Sequence, residues 1–201
     1  MRCTAPGTIT WTLAMTNPTR SQDEARNAEQ WSAVEEATEL LHEERFREAM
    51  VELRRVLGSD PRNPYAFYFL GVAFYEVGEL EAARDAYNAC LRLSPTYLGA
   101  RIALSHVLRQ LADARGALRE GLAALSQNPG DPDALYAVGL AYRARGDDAS
   151  AMKYLEAFLA TGPDFEVGVE TRAMIAAIAA EQKPTSGSSD ETADGDEDED
   201  A

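Results

Sequence analysis

Apolar residues in the middle of this chain recur at intervals of three and four, so the regular structure reads as helical rather than extended. Leu53-Leu57, Tyr87-Leu91 and Leu155-Leu159 each form such a stripe, and Ala49, Ala83 and Ala151 stand four residues ahead of them. Ala117, Gly121 and Leu125 keep the same spacing with glycine in the middle place. A second pattern, Phe67-Leu70-Gly71-Phe74, returns as Leu135-Val138-Gly139-Tyr142. Steps of three, one and three lie on one helical face, and the glycine lets two backbones approach closely. Ser21-Gln22-Asp23-Glu24 has the spacing of a capping box and predicts a first helix from about Gln22 to His42. A last helix is expected over 165–182, with Val169, Ala173, Ile175, Ala176 and Ile178 on its apolar stripe and Glu166, Glu170 and Arg172 off it. Nothing between 22 and 182 alternates like a strand or runs on like a long loop, and the pattern predicts nine helices.

These patterns repeat. Pro61, Pro95, Pro129 and Pro163 stand 34 residues apart without drift, and 34 residues hold two short helices with their turns. Small residue, apolar residue, proline, and upstream the glycine-centred face: together they resemble the tetratricopeptide repeat, whose signature is W-x2-L-G-x2-Y, then A-x3-F, then P. The resemblance covers roughly residues 30 to 165. Copies 64–97 and 132–165 fit best, each with a turn glycine, Gly78 and Gly146. In copy 30–63 the first-helix pattern is replaced by Ala33, Glu36, Ala37 and Leu40. In copy 98–131, Arg101, Ser105 and Gly121 depart from it and the turn is Ala112-Asp113. The resemblance implies an all-α fold, a right-handed α-solenoid of four tandem helix-turn-helix units closed by the helix 165–182 as a C-terminal cap.

It also implies where a ligand would sit. In such a stack the first helices line a concave side, and the phase of the core says which residues face it. The first unit contributes Trp31, Val34, Thr38 and Leu41, and the second Tyr65, Tyr68, Phe69, Val72 and Tyr75. The third contributes Ile102, His106, Arg109 and Gln110, and the fourth Tyr136, Leu140 and Arg143. Tyrosines offer a large apolar face with one polar handle, suited to partner contact. Arg109 and Arg143 occupy equivalent places one unit apart and are expected to form a small positive ladder along one wall; the third unit, which holds Arg109, is the one unit with net positive charge. Members of the family that clamp the acidic C-terminus of heat-shock chaperones use lysine, asparagine and arginine on this face. This chain has Val34, Thr38, Phe69, Gly99 and Ala103 at the matching places, so that mode is not expected.

Composition narrows the partners. Net charge is −15, and eight acids with no base follow Lys183. Residues 183–201 are expected to be a disordered acidic tail, residues 1–21 a disordered leading segment with Met15 an alternative start, and 22–182 the repeat domain. The acidic balance argues against nucleic acid and anionic membranes, and no apolar run reaches the ~20 residues that span a bilayer. A tail lying transiently over Arg109 and Arg143 would compete with ligands. Cys3 and Cys90 form no disulfide framework, which points to a reducing cytoplasm. No phosphate loop, metal-ligand spacing or nucleophile elbow occurs, so neither an enzyme nor a cofactor is expected.

The leading expectation is a non-catalytic adaptor or scaffold that binds a partner peptide or helix with apolar anchors and an acidic group. The runner-up, by resemblance, is a chaperone of the kind that holds type III secretion translocators. A self-assembling structural protein is the third.

Overall fold

Each 34-residue period resolves into two helices joined by one kind of turn and linked to the next period by another. In the computed structural model, which describes residues 18–181, they are α1 (Pro18–Ser32), α2 (Glu35–His42), α3 (Phe46–Ser59), α4 (Pro64–Glu76) and α5 (Leu80–Leu93). They continue as α6 (Leu98–Gln110), α7 (Ala114–Gln127), α8 (Pro132–Ala144), α9 (Asp148–Ala160) and α10 (Phe165–Glu181). Among the described residues there is no strand, and the architecture is an all-α helical solenoid. The acidic tail and residues 1–17 lie outside the described residues.

The turns explain the proline ladder. Asp60-Pro61-Arg62-Asn63, Ser94-Pro95-Thr96-Tyr97 and Asn128-Pro129-Gly130-Asp131 are β-turns, closed by bonds from the fourth amide to the first carbonyl of 3.2, 3.1 and 3.1 Å. Proline presets φ at the second place, and Asp, Ser and Asn are favoured at the first. Within each unit the two helices meet at a left-handed residue: Glu44 (φ 59°), Gly78 (φ 80°), Ala112 (φ 61°) and Gly146 (φ 76°). Around it the following amides bond back across the helix end, as in Glu79 N to Phe74 O (2.8 Å) and Asp113 N to Leu108 O (2.8 Å). This is the Schellman ending, for which glycine is the relaxed residue.

Small residues set how closely the helices approach. Ala49, Ala83, Ala117 and Ala151 are all fully buried. Gly71 lies beneath the Tyr87 ring, so an added Cβ would sit 2.6 Å from it, and Gly139 lies likewise beneath Leu155. The third unit reverses the pairing. Its glycine, Gly121, is on the second helix, and the opposite place holds Ser105, whose hydroxyl donates to Ala117 O at 2.8 Å. Val138 from the next unit fills the space over Gly121.

Three expectations need correction. The first helix begins at Pro18, well placed for a first-turn proline, rather than at the Ser21 cap. It then breaks at Ala33-Val34, so among the described residues ten helices stand where nine were expected. The break has a cause in the carbonyl of Gln30. That oxygen accepts from Asn63 Nδ2 at 2.8 Å, while Val34 N bonds instead to Trp31 O at 3.0 Å. Thirdly, α10 buries Gly168, Thr171 and Ile178 and half-buries Met174 and Ile175, leaving Val169, Ala173 and Ala176 exposed. Those three fall one period after Leu135, Gly139 and Tyr142, on the side that α8 turns to its own second helix. Among the described residues α10 is a first helix without a second, and Phe165 on it is 83% exposed.

Candidate functional site

The first helices α2, α4, α6 and α8, extended by the end of α1, present the inner face. On it the aromatic side chains form one mesh. Trp31, 44% exposed, meets Tyr65 edge-on at 5.2 Å between centroids and Phe69 at 5.9 Å. Tyr68 lies 5.1 Å from Phe69 and 4.9 Å from Tyr97, which is itself 5.8 Å from Tyr65. Such edge and tilted contacts hold the rings in place ahead of any ligand. Polar tips tie neighbouring helices: Tyr65 Oη donates to Asn27 Oδ1 at 2.6 Å, and Gln110 Nε2 donates to Tyr75 Oη at 2.6 Å. Burial holds the Tyr68 and Tyr97 phenols above the ordinary tyrosine range, so both stay protonated.

Where α2 meets α4 the mesh opens into a cleft of about 430 Å³. Leu41, Phe46, Tyr68, Phe69 and Val72 line it, and Thr38, His42, Glu44 and Glu76 complete the wall. A cleft of about 440 Å³ between α1 and α3 is lined by Ala33 and Val56 together with Arg26, Glu29, Gln30, Ser59, Asp60 and Asn63, and its polar groups are in part committed to one another: Gln30 bonds to Asp60 and Asn63 to the Gln30 carbonyl.

The inner-face residues do not all stand free. Val34 is fully buried beneath the break between α1 and α2 and belongs to the core, so it cannot touch a partner. Tyr65, Tyr68, Phe69, Val72, Tyr75, Ile102, His106, Tyr136 and Leu140 are half-buried, as side chains that pack at the base and show one edge. Arg143 corrects the expected ladder. It donates to Asp148 at 2.6 Å and to Glu181 of α10 at 2.7 Å; these raise its pKa, so it stays cationic with its charge already compensated. Arg109 differs, because its Nε is buried without a hydrogen-bond partner. Tyr97, Phe46 and Glu44 join the site though the inner-face phase omitted them. Glu44 was findable, since it stands one period before Gly78.

His106 packs 6.3 Å from the Tyr136 ring, and its pKa is lowered by burial first and by Arg109 second, with Asp133 opposing. Folded protein therefore holds it neutral where the unfolded chain begins to protonate it. Stability should fall as pH drops below about 6.5, by at most about 1.4 kcal/mol per pH unit down to the lowered folded value. In chemical denaturation at pH 7 and 5.5, His106→Gln should show a smaller drop than the wild type. Equal drops would remove His106 as the cause. Cys90 is buried and free, with its thiol pushed up to about 12, so it is not a nucleophile at neutral pH.

Among the described residues no His, Cys, Asp and Glu group has the arrangement to hold a metal, and no helix is long and apolar enough to cross a membrane.

Paired helices in a 34-residue period, sharing a continuous core and an aromatic inner face, define a helical-repeat protein. The tetratricopeptide repeat model matches residues 34–97 and 102–164, and the chain belongs to that family. No curated protein matches it in sequence. Its fold is similar to that of MamA 41-end from Desulfovibrio magneticus RS-1, at 18% identity and a TM-score of 0.62 over 76% of this chain and 96% of that one. TTC0263, a thermophilic tetratricopeptide protein of Thermus thermophilus, aligns at 22% identity and a TM-score of 0.62 over 76% and 82% of the two chains. Yeast Tom70 aligns at 12% identity and a TM-score of 0.66, over 76% of this chain and 33% of that one.

Proposed function

We propose that the chain is a non-catalytic adaptor or scaffold, acting in a reducing cytoplasm, that binds a peptide segment or helix of a partner protein along its inner face. The cleft at α2 and α4 carries this reading. It offers an apolar socket whose rings are already fixed by their neighbours, so a ligand side chain enters without ordering them. Arg109, with a buried Nε that lacks a partner, is the group for a carboxyl or acidic side chain farther along the face. Arg143 contributes to the fold instead.

The test is affinity purification from native cytosol, followed by titration of the recovered partner. Phe69→Ala should weaken binding at least tenfold, the range of an aromatic anchor, while Phe165→Ser outside the groove should leave it unchanged. Circular dichroism at the titration temperature keeps loss of fold apart from loss of contact. A partner that binds Phe69→Ala normally and loses Phe165→Ser would move the site to α10.

A second reading, end-to-end assembly, is supported by the open apolar side of α10. Sedimentation as a monomer at high concentration would remove it.

A further inference from the structure

The cleft between α2 and α4 is apolar at its base and acidic at its rim. Glu44 and Glu76 stand on that rim. Neither carboxylate makes an ion pair or hydrogen bond with another described residue. Their neighbours behave otherwise: Arg45 takes Glu43 and Glu48, at 2.8 and 2.6 Å, and Arg55 takes Glu52. Glu44 and Glu76 thus put two unpaired carboxylates in the lining of the cleft. The imidazole of His42 is the one basic side chain in the lining.

Glu44 also occupies a place where glutamate is disfavoured. Its φ of 59° is the left-handed conformation that the second and fourth units give to Gly78 and Gly146. The third unit places Ala112 (φ 61°) there, so the turn tolerates a side chain; at Glu44 that side chain brings a carboxylate to the cleft, where glycine would relax the turn.

We propose that this cleft selects an apolar side chain flanked by a lysine or arginine, the apolar group seated against Leu41, Phe69 and Val72 and the cation received by Glu44 and Glu76. The proposal rests on the reading of the inner face as a peptide-binding groove, and names the ligand at one end of it. It reverses, at that end, the acidic preference that Arg109 suggests farther along. A segment with a basic-apolar pair at one end and an acidic residue at the other would match both.

Random-peptide display on the full chain, followed by fluorescence anisotropy with the labelled winning peptide, tests this. Winning sequences should carry leucine, methionine, isoleucine or phenylalanine beside lysine or arginine. The Glu44→Gly/Glu76→Gln variant should bind that peptide about tenfold more weakly at low salt, with the gap narrowing as salt screens the pair. Glu44→Gly alone should bind more weakly and yet raise the denaturation midpoint, because it relieves the turn. A merely structural Glu44 would not move the two readouts in opposite directions. Winning peptides without a basic residue, bound equally by the double variant but lost by Phe69→Ala, would overturn the proposal and leave the groove reading intact. Peptides indifferent to Phe69→Ala, or no enrichment at all, would overturn both.

Discussion

Replacing Tyr87 by alanine should cost about 3–5 kcal/mol of folding stability, the range for removing a fully buried aromatic ring. The side chain is 2% exposed in α5, with its ring over Gly71 and 5.9 Å from that of Tyr68. Two contributions add. The ring loses its transfer out of water, and the hole it leaves does not close readily, because the wall facing it is backbone. Gly71 has no side chain to swing into the space, and Ala83 on the same helix is too short to reach. Helix propensity gives no help either: alanine at 71 would gain about 1 kcal/mol on that scale, but its Cβ would overlap the ring. Tyr87→Leu should lose less, since Leu155 fills the same place over Gly139 in the fourth unit. Urea denaturation followed by circular dichroism measures both. A loss below about 1 kcal/mol for the alanine variant would mean that the ring is not the closure of this interface.

Asn63→Ala is expected to cost about 2–4 kcal/mol, the sum of a lost helix cap and a stranded buried carbonyl. One fully buried side chain serves two helices. Its Oδ1 accepts from the amides of Tyr65 (3.0 Å) and Ala66 (3.1 Å), which caps α4. Its Nδ2 donates to Gln30 O at the break after α1. Asn63→Asp separates the two roles, because the carboxylate still caps but has nothing to donate. Asp131 shows that aspartate suffices for the cap, accepting from Ala134 N at 2.9 Å. Hydrogen exchange should then find α4 protected as before and the α1 amides faster. Unchanged exchange in α1 would show that the Gln30 contact does not hold that helix.

Such contacts mark the limit of what a sequence displays. The period, the alanine and glycine approaches and the turn prolines were legible because each is local and copied. The break at Ala33-Val34 was not, because the residue that causes it lies about 30 positions downstream, at the far end of the unit. Arg143 read as free on the inner face, since one of its partners, Glu181, is 38 residues away, and the other, Asp148, faces it only across the turn into α9. For α10 the difficulty was different. Small and apolar residues occur on two sides of that helix, and only the neighbour present in the fold decides which side is covered. Of the site, Trp31 and the aromatics of α4 were read from the phase of the repeat, while Tyr97 and Phe46, which lie outside the first helices, were not. The cleft did not, since it depends on how far Phe69 and Val72 stand from Leu41 once α2 has turned away from α1.

The uncovered side of α10 also bears on how such a gene can change. In each complete unit the first helix is roofed by its own second helix, and α10 offers that same surface vacant among the described residues. A duplication of 34 codons placed after it keeps the reading frame and returns the helical phase together, so the added pair would meet a surface already shaped for it. Because each unit touches little beyond its neighbours, the earlier ones need no compensating change. Recombination can therefore lengthen the inner face in whole steps while the acidic-rimmed cleft at the other end stays as it is.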